Sequence, residues 1–191
     1  MASTWRTSPS RRDEQLSRAV QPSNAPFDPE AILAKLKRYK VDFVVIGAYA
    51  AVTQGWSEPT GDIDITPDRD VRNLRRLATA LRAMDARVLT EDGEIDESWP
   101  IDDQHLRLRE TTLFTTRFGD VDVVINPAGA TGYPDLARSS ESFVLRLGAA
   151  EVRVAKLERV IASKRASDRP KDRDALPRLD ALLHRLREED T

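Results

Sequence analysis

The hydrophobic positions fall into runs of two periods. Phe43, Val44, Val45 and Ile46 form a continuous apolar run that stops at Gly47, as a buried strand does before a tight turn into a helix. Asp62-Ile63-Asp64-Ile65 alternates instead, which puts both carboxylates on one face of a strand and both isoleucines on the other. Thr111 to Thr116 and Val121 to Ile125 are two β-rich runs joined at Phe118-Gly119-Asp120, a hairpin by its turn residues. Phe143 to Leu147 and Val152 to Val154 predict two more short strands around Gly148.

Between these runs the period changes to that of a helix. Asp28-Pro29-Glu30 supplies an N-cap, a proline suited to the first helical position and an acid at the positive end, with Ile32, Leu33 and Leu36 on one face. A second helix follows the Pro67-Asp68 turn to about Asp85, its stripe formed by Leu74, Leu77, Ala78, Leu81 and Met84. A third spans Ala155 to Ala166, with Leu157, Val160, Ile161 and Lys164 at one spacing. Lys164 therefore falls on the buried stripe, where it either snorkels or points into a site. The last helix is expected from about Asp174 to Arg187, with Pro177 tolerable only in its first turn. Val88 to Arg107 has no clear period and reads as a loop over the site, with acidic turns around Trp99-Pro100-Ile101.

The expected fold class is α/β (α+β): one mixed, twisted sheet of about five strands with packed helices. Residues 1–26 read as a disordered or loosely attached tail, 27–154 as the core, and 155–191 as a helical segment packed on it. At 191 residues the chain can bury one sizeable core. It has no cysteine, which removes disulfides, thiol nucleophiles and thiolate metal sites. His105 and His184 lie far apart in polar surroundings and read as surface residues. No apolar stretch approaches the ~20 residues of a membrane span, and no signal-like segment opens the chain, so a cytoplasmic location is expected. The net charge of −2 says little about nucleic acid, but the placement of arginine does more. Arg72, Arg75, Arg76, Arg165, Arg169, Lys171 and Arg173 form two basic segments that are expected to flank the site and could serve a polynucleotide.

The chemistry concentrates between Val41 and Thr66. Two carboxylates aimed the same way repel each other unless a cation sits between them. Oxygen-only ligands at this spacing suit Mg²⁺ together with substrate phosphates, with Mn²⁺ as the alternative. The glycine turn at Gly47 and Ala48 offers backbone N–H groups to those phosphates. Asp122 sits within an apolar run, where an aspartate needs a partner, whereas Asp120 sits at the turn.

This strand, glycine turn, short helix and Asp-x-Asp arrangement resembles the polymerase-beta-type nucleotidyltransferase superfamily. Gly47, Asp62 and Asp64 match its signature; Ala48 departs from the Gly or Ser usual there, and leaves only a backbone N–H for phosphate. The resemblance implies the nucleotidyltransferase fold, with a third carboxylate on a third strand, best matched by Asp122. Metal ligands Asp62, Asp64 and Asp122 would then work with an NTP substrate. Ser163-Lys164-Arg165-Ala166 and Arg169-Pro170-Lys171-Asp172 further resemble the AbiEii-like toxins, which include the mycobacterial Men toxins. In that subgroup a lysine and an aspartate at the positions of Lys164 and Asp172 are needed for activity, and Lys171 is a nearby candidate for phosphate. The resemblance implies a toxin–antitoxin toxin that modifies tRNA 3′ ends and has a cognate antitoxin protein. Alternatives are nucleotidylation of an aminoglycoside-type small molecule or of a protein, and a non-catalytic binding module of the same fold. A sugar transferase using Asp-x-Asp would need a nucleotide-binding half before the motif, and only 61 residues precede Asp62.

Overall fold

Strand β1 (Phe43–Ile46) is buried along its whole length and lies near the middle of the sheet. The computed structural model describes residues 26–90, 92–146 and 151–189; apart from residue 26, the expected N-terminal tail lies outside them. Helix α1 (Pro29–Arg38) precedes β1, and its Asp28 cap accepts a hydrogen bond from the Ala31 N–H at 2.9 Å. Helix α2 (Gly47–Val52) follows directly, and β2 (Asp62–Pro67) returns antiparallel to β1. Helix α3 (Val71–Arg82) is capped by Asp70 and buries Leu74, Leu77 and Leu81. Asn73 is itself buried and binds Asp42 and Asp68 backbone groups at 2.8 Å, which fixes α3 to the two ends it spans.

Next come β3 (Arg87–Leu89), β4 (Ile95–Asp96), a 3-10 turn (His105–Arg107), β5 (Thr111–Thr116) and β6 (Gly119–Val124). Helix α4 (Tyr133–Arg138), β7 (Ser140–Val144), β8 (Glu151–Ala155), α5 (Leu157–Ser167) and α6 (Pro170–Glu189) complete the described chain. The sheet is mixed, in the order β4-β3-β5-β6-β2-β1-β8-β7. Strand β2 runs parallel to β6, and β1 runs parallel to β8; the other neighbours are antiparallel.

Several expectations need correction. The sheet has eight strands rather than about five. The additional pair is β3 and β4, which are too short to show a period and lie in the stretch expected to be a loop over the site. That stretch instead forms the sheet edge beyond β5, and none of its described residues reaches the cleft described below. Strand β7 begins at Ser140, because an edge strand with exposed faces tolerates Ser140-Glu141-Ser142. Ala155 ends β8 and does not begin α5. Helix α6 runs unbroken through Pro177 from Pro170, which takes the favoured first position. Pro177 lies on the exposed side, where water can serve the carbonyl that loses its helical partner. Among the described residues no helix is long and apolar enough to cross a membrane.

Candidate functional site

The parallel pairing of β2 and β6 assembles the carboxylates. Asp62 stands opposite Asp120, and Asp64 opposite Asp122, while Ile63, Ile65, Val121 and Val123 face the core from the other side. The alternation of each strand thus makes one acidic face from two distant segments. Ile46 pairs with Asp64 across β1 and β2, so the turn after β1 lies against that carboxylate. Gly47 has a φ of +66°, and a Cβ built there would fall 1.9 Å from Asp64 Oδ2. Both the backbone conformation and the lack of space require glycine. The glycine turn and the Asp-x-Asp strand are therefore one fitted unit.

Asp62 is oriented by its own loop: Thr60 Oγ1 donates to Asp62 Oδ1 at 2.6 Å. Burial pushes Asp64 up from the ordinary 3.8 to about 6, and the Asp62 charge adds to this; Lys171, Arg169 and Lys164 oppose it. Burial pushes Asp122 further, to about 8, and the charges of Asp64, Asp62 and Asp120 act in the same direction, with Lys171 opposing. Such displacement is the mark of carboxylates crowded together in partial shelter from water.

A cationic corner faces this acidic floor. Between α5 and α6 the chain turns at Asp168, which adopts a left-handed φ of 48°. The corner closes on Asp172, whose side chain is fully buried. Its Oδ1 accepts from Lys164 Nζ at 2.9 Å, and its Oδ2 accepts from Ser167 Oγ at 2.6 Å and Arg169 Nε at 2.7 Å. Burial opposes ionisation of Asp172, but the Arg169, Ser167 and Lys164 hydrogen bonds outweigh it and hold the carboxyl well below the usual range. Asp172 does not line the cleft, whereas Lys164, Arg169 and Lys171 do. It reaches the site only through the cations it holds. At the other end of α5, Gln54 takes the place of a cap. Its Oε1 accepts from the Leu157 N–H at 2.8 Å, and its Nε2 donates to Ala50 and Ala155 carbonyls at 2.6 and 3.0 Å. This ties α5 to the helix that begins at Gly47.

The cleft between floor and corner has a volume of about 690 Å³ and is lined by Gly47, Ala48, Asp62, Asp64, Asp122, Lys164 and Lys171, among others. The residues expected from sequence thus meet in one cleft, with Asp172 just behind its wall. Arg169, Thr60 and Trp56 complete it, and Gln54 braces its wall from outside. Only Arg169 is suggested by sequence, because it belongs to a basic segment; the contacts of the others depend on how the loop folds back. The arginines of α3 are not brought in. Arg75 pairs with Asp103 and Arg76 with Asp42, and no α3 residue lines the cleft. Arg165 pairs with Asp180 and Arg173 with Asp168, so of the two basic segments only Arg169 and Lys171 reach the cleft.

The donor set fits a hard divalent cation in its chemistry: it is all oxygen, and burial and mutual repulsion push Asp64 and Asp122 up. Among the described residues, no group of three or more His, Cys, Asp or Glu side chains is gathered closely enough to hold a metal ion. Asp62, Asp64 and Asp122 share one face of the sheet, with Asp64 and Asp122 paired directly across β2 and β6.

No protein-family model matches the chain, and no curated protein matches it. Solved structures are similar to the chain at low identity. The antibiotic-resistance factor ANT(2'')-Ia in solution is 16% identical, with a TM-score of 0.47, covering 83% of this chain and 88% of that one. The crystal structure of ANT(2'')-Ia in complex with adenylyl-2''-tobramycin is also 16% identical at a TM-score of 0.47, covering 84% and 95%. A candidate nucleotidyltransferase from Thermotoga maritima is 16% identical at a TM-score of 0.45, covering 86% and 98%.

Proposed function

We propose that the chain transfers a nucleoside monophosphate from an NTP to an acceptor hydroxyl and releases pyrophosphate. The observation that carries this is the register of Asp64 with Asp122 beside Gly47, facing Lys164, Arg169 and Lys171 across one cleft. The acceptor oxygen forms a bond to the α-phosphorus as the bond from that phosphorus to the bridging oxygen of the pyrophosphate breaks. Asp122, paired with Asp64 across β2 and β6 on the acidic face, is the group we place to take the acceptor's proton. Lys164, Arg169 and Lys171 face the charge that grows on the departing pyrophosphate. Backbone N–H groups of Gly47 and Ala48 bind the triphosphate, and Asp172 keeps Lys164 and Arg169 in place. A Mg²⁺ or Mn²⁺ ion held by Asp62, Asp64 and Asp122 would neutralise the triphosphate and favour loss of the acceptor's proton.

The leading acceptor is a tRNA 3′ end, with the chain acting as a toxin restrained by an antitoxin protein. The Lys164 and Asp172 matches to the AbiEii-like toxins support it, together with the basic corner beside the acidic floor. A small hydroxyl-bearing acceptor is the second reading, favoured because no α3 arginine lines the cleft, Arg75 and Arg76 each being held in an ion pair. Incubation with each labelled NTP, Mg²⁺ or Mn²⁺, and either total tRNA or an aminoglycoside separates them. Label on RNA 3′ ends is expected. Label on the aminoglycoside alone would move the acceptor to a small molecule, and no transfer or pyrophosphate release under any condition would overturn the transfer activity itself.

A further inference from the structure

The carboxylates and cations of the cleft account for a triphosphate and its counterion, and leave the base of the nucleotide without a seat. We propose that the apolar recess at the Trp56 end of the cleft binds the nucleobase of the incoming NTP, with the Trp56 indole as its stacking surface, an assignment that rests on the transfer activity proposed above. Trp56 sits in the loop between α2 and β2 and lines the same cleft as Gly47 and Asp64. Its ring is partly buried against the core. The Trp56 backbone N–H donates to the Ala51 carbonyl at 3.0 Å, which anchors the loop to α2 where the indole departs. Glu58, two residues on, holds Arg178 of α6, and that guanidinium carbon lies 5.6 Å from the centroid of the indole. The Arg178 guanidinium thus covers one face of the ring, and a base would stack on the other.

Across the recess α6 presents Ala175 and Leu179, one turn apart, and α5 presents Val160. These three side chains are uncharged, and the charged residues that line the cleft near them, Glu58 and Arg159, are each held in an ion pair, with Arg178 and Asp135. A triphosphate would lose its hydration there without compensation. A flat group with a π face and a narrow polar edge loses little and gains the indole, and the base is the part of an NTP with that form. Because every base has a π face, stacking alone gives little preference among the four. The continuity of this recess with the Gly47 turn favours the NTP base over an aromatic group on the acceptor.

Titration of the full chain with ATP, GTP, CTP and UTP, and separately with inorganic tripolyphosphate, all with Mg²⁺, tests this by calorimetry. Trp56→Leu, which keeps an apolar packing group, and Trp56→Ala are each expected to weaken NTP binding by about 10- to 100-fold. Tripolyphosphate affinity should be unchanged, and Trp56→Phe should bind NTP much as the wild type does. The assignment is overturned if Trp56→Leu binds NTP like wild type, or if tripolyphosphate weakens by the same factor. Acceptor affinity falling while NTP affinity holds would also overturn it and leave transfer intact. A wild-type chain that binds neither NTP nor tripolyphosphate would remove the transfer reading along with it.

Discussion

Replacing Asp122 by asparagine should stabilise the metal-free protein at alkaline pH, although it should abolish activity. In the folded chain burial and the charges of Asp64, Asp62 and Asp120 push Asp122 up to about 8, against an ordinary 3.8 in the unfolded chain. The folded state therefore binds a proton that the unfolded state has released, and stability falls as pH rises from about 4 through about 8. At roughly 1.4 kcal/mol per pH unit the full displacement sets an upper limit of about 6 kcal/mol. Asp64 is pushed the same way and interacts with Asp122, so the two share the cost, and a relief on the order of 3 kcal/mol is the fair expectation. For a domain of this size that is a rise of about 6–12 °C in Tm. Melts of wild type and Asp122→Asn in EDTA, from pH 4 to pH 8.5, should meet near pH 4 and diverge above it. Asp172 acts in the opposite sense, since its folded carboxyl is held low and its contribution disappears only under acid conditions. The range from pH 5 to pH 8 therefore isolates the acidic face. Mg²⁺ should raise the wild-type Tm at pH 8 and do much less for the variant. A variant that melts at or below wild type at pH 8 in EDTA would refute the crowding argument.

Three other substitutions probe the contacts that build the site. Gly47→Ala places a methyl group onto Asp64 Oδ2 at a left-handed backbone position that itself costs about 1–2 kcal/mol; turnover should fall by about 100-fold through the displaced carboxylate, and wild-type turnover would refute the fit. Thr60→Val removes the donor to Asp62 and should weaken Mn²⁺ binding, read by electron paramagnetic resonance, by about 10-fold or more, with Thr60→Ser restoring it. Asp172→Asn leaves Lys164 and Arg169 without their buried counter-charge and should lower stability to chemical denaturation by about 3 kcal/mol, with NTP affinity falling in parallel; an unchanged denaturation midpoint would show that Asp172 holds nothing together.

The acidic face is legible in the sequence because strand alternation is local. Asp62 and Asp64 share a side by period alone, and Asp122 is conspicuous as a charge within Val121 to Ile125. Their pairing is not local, and no pattern in the chain states that β2 and β6 are parallel neighbours. The β3 and β4 hairpin is hidden because three and two residues cannot display a period, and Val88 and Leu89 alone do not distinguish strand from loop. Pro177 suggests a start for α6 that is later than the real one. Pro170 is the better signal, with Asp172 in the first turn behind it. The α3 arginines read as a surface for RNA because charge is visible in sequence and its partners are not: Asp42 and Asp103 lie 34 and 28 residues from the arginines they bind.

The same non-local pairing makes the C-terminal helices part of the site and not an appendage to it. Lys164 and Arg169 are tied to Asp172, so much of their charge is already spent within the corner. Lys171 lines the cleft, is exposed, and forms no ion pair among the described residues. It also lowers the cost of ionising both Asp64 and Asp122. The sheet thus offers an excess of negative charge that a cation relieves, and the helical corner offers positive charge that a phosphate relieves. The acidic half is unfavourable alone at the pH where its carboxylates ionise, and on the proposed function a triphosphate carrying its own divalent cation would meet both halves together. Gln54, which bonds the Gly47 helix to the first residue of α5, links the two halves directly.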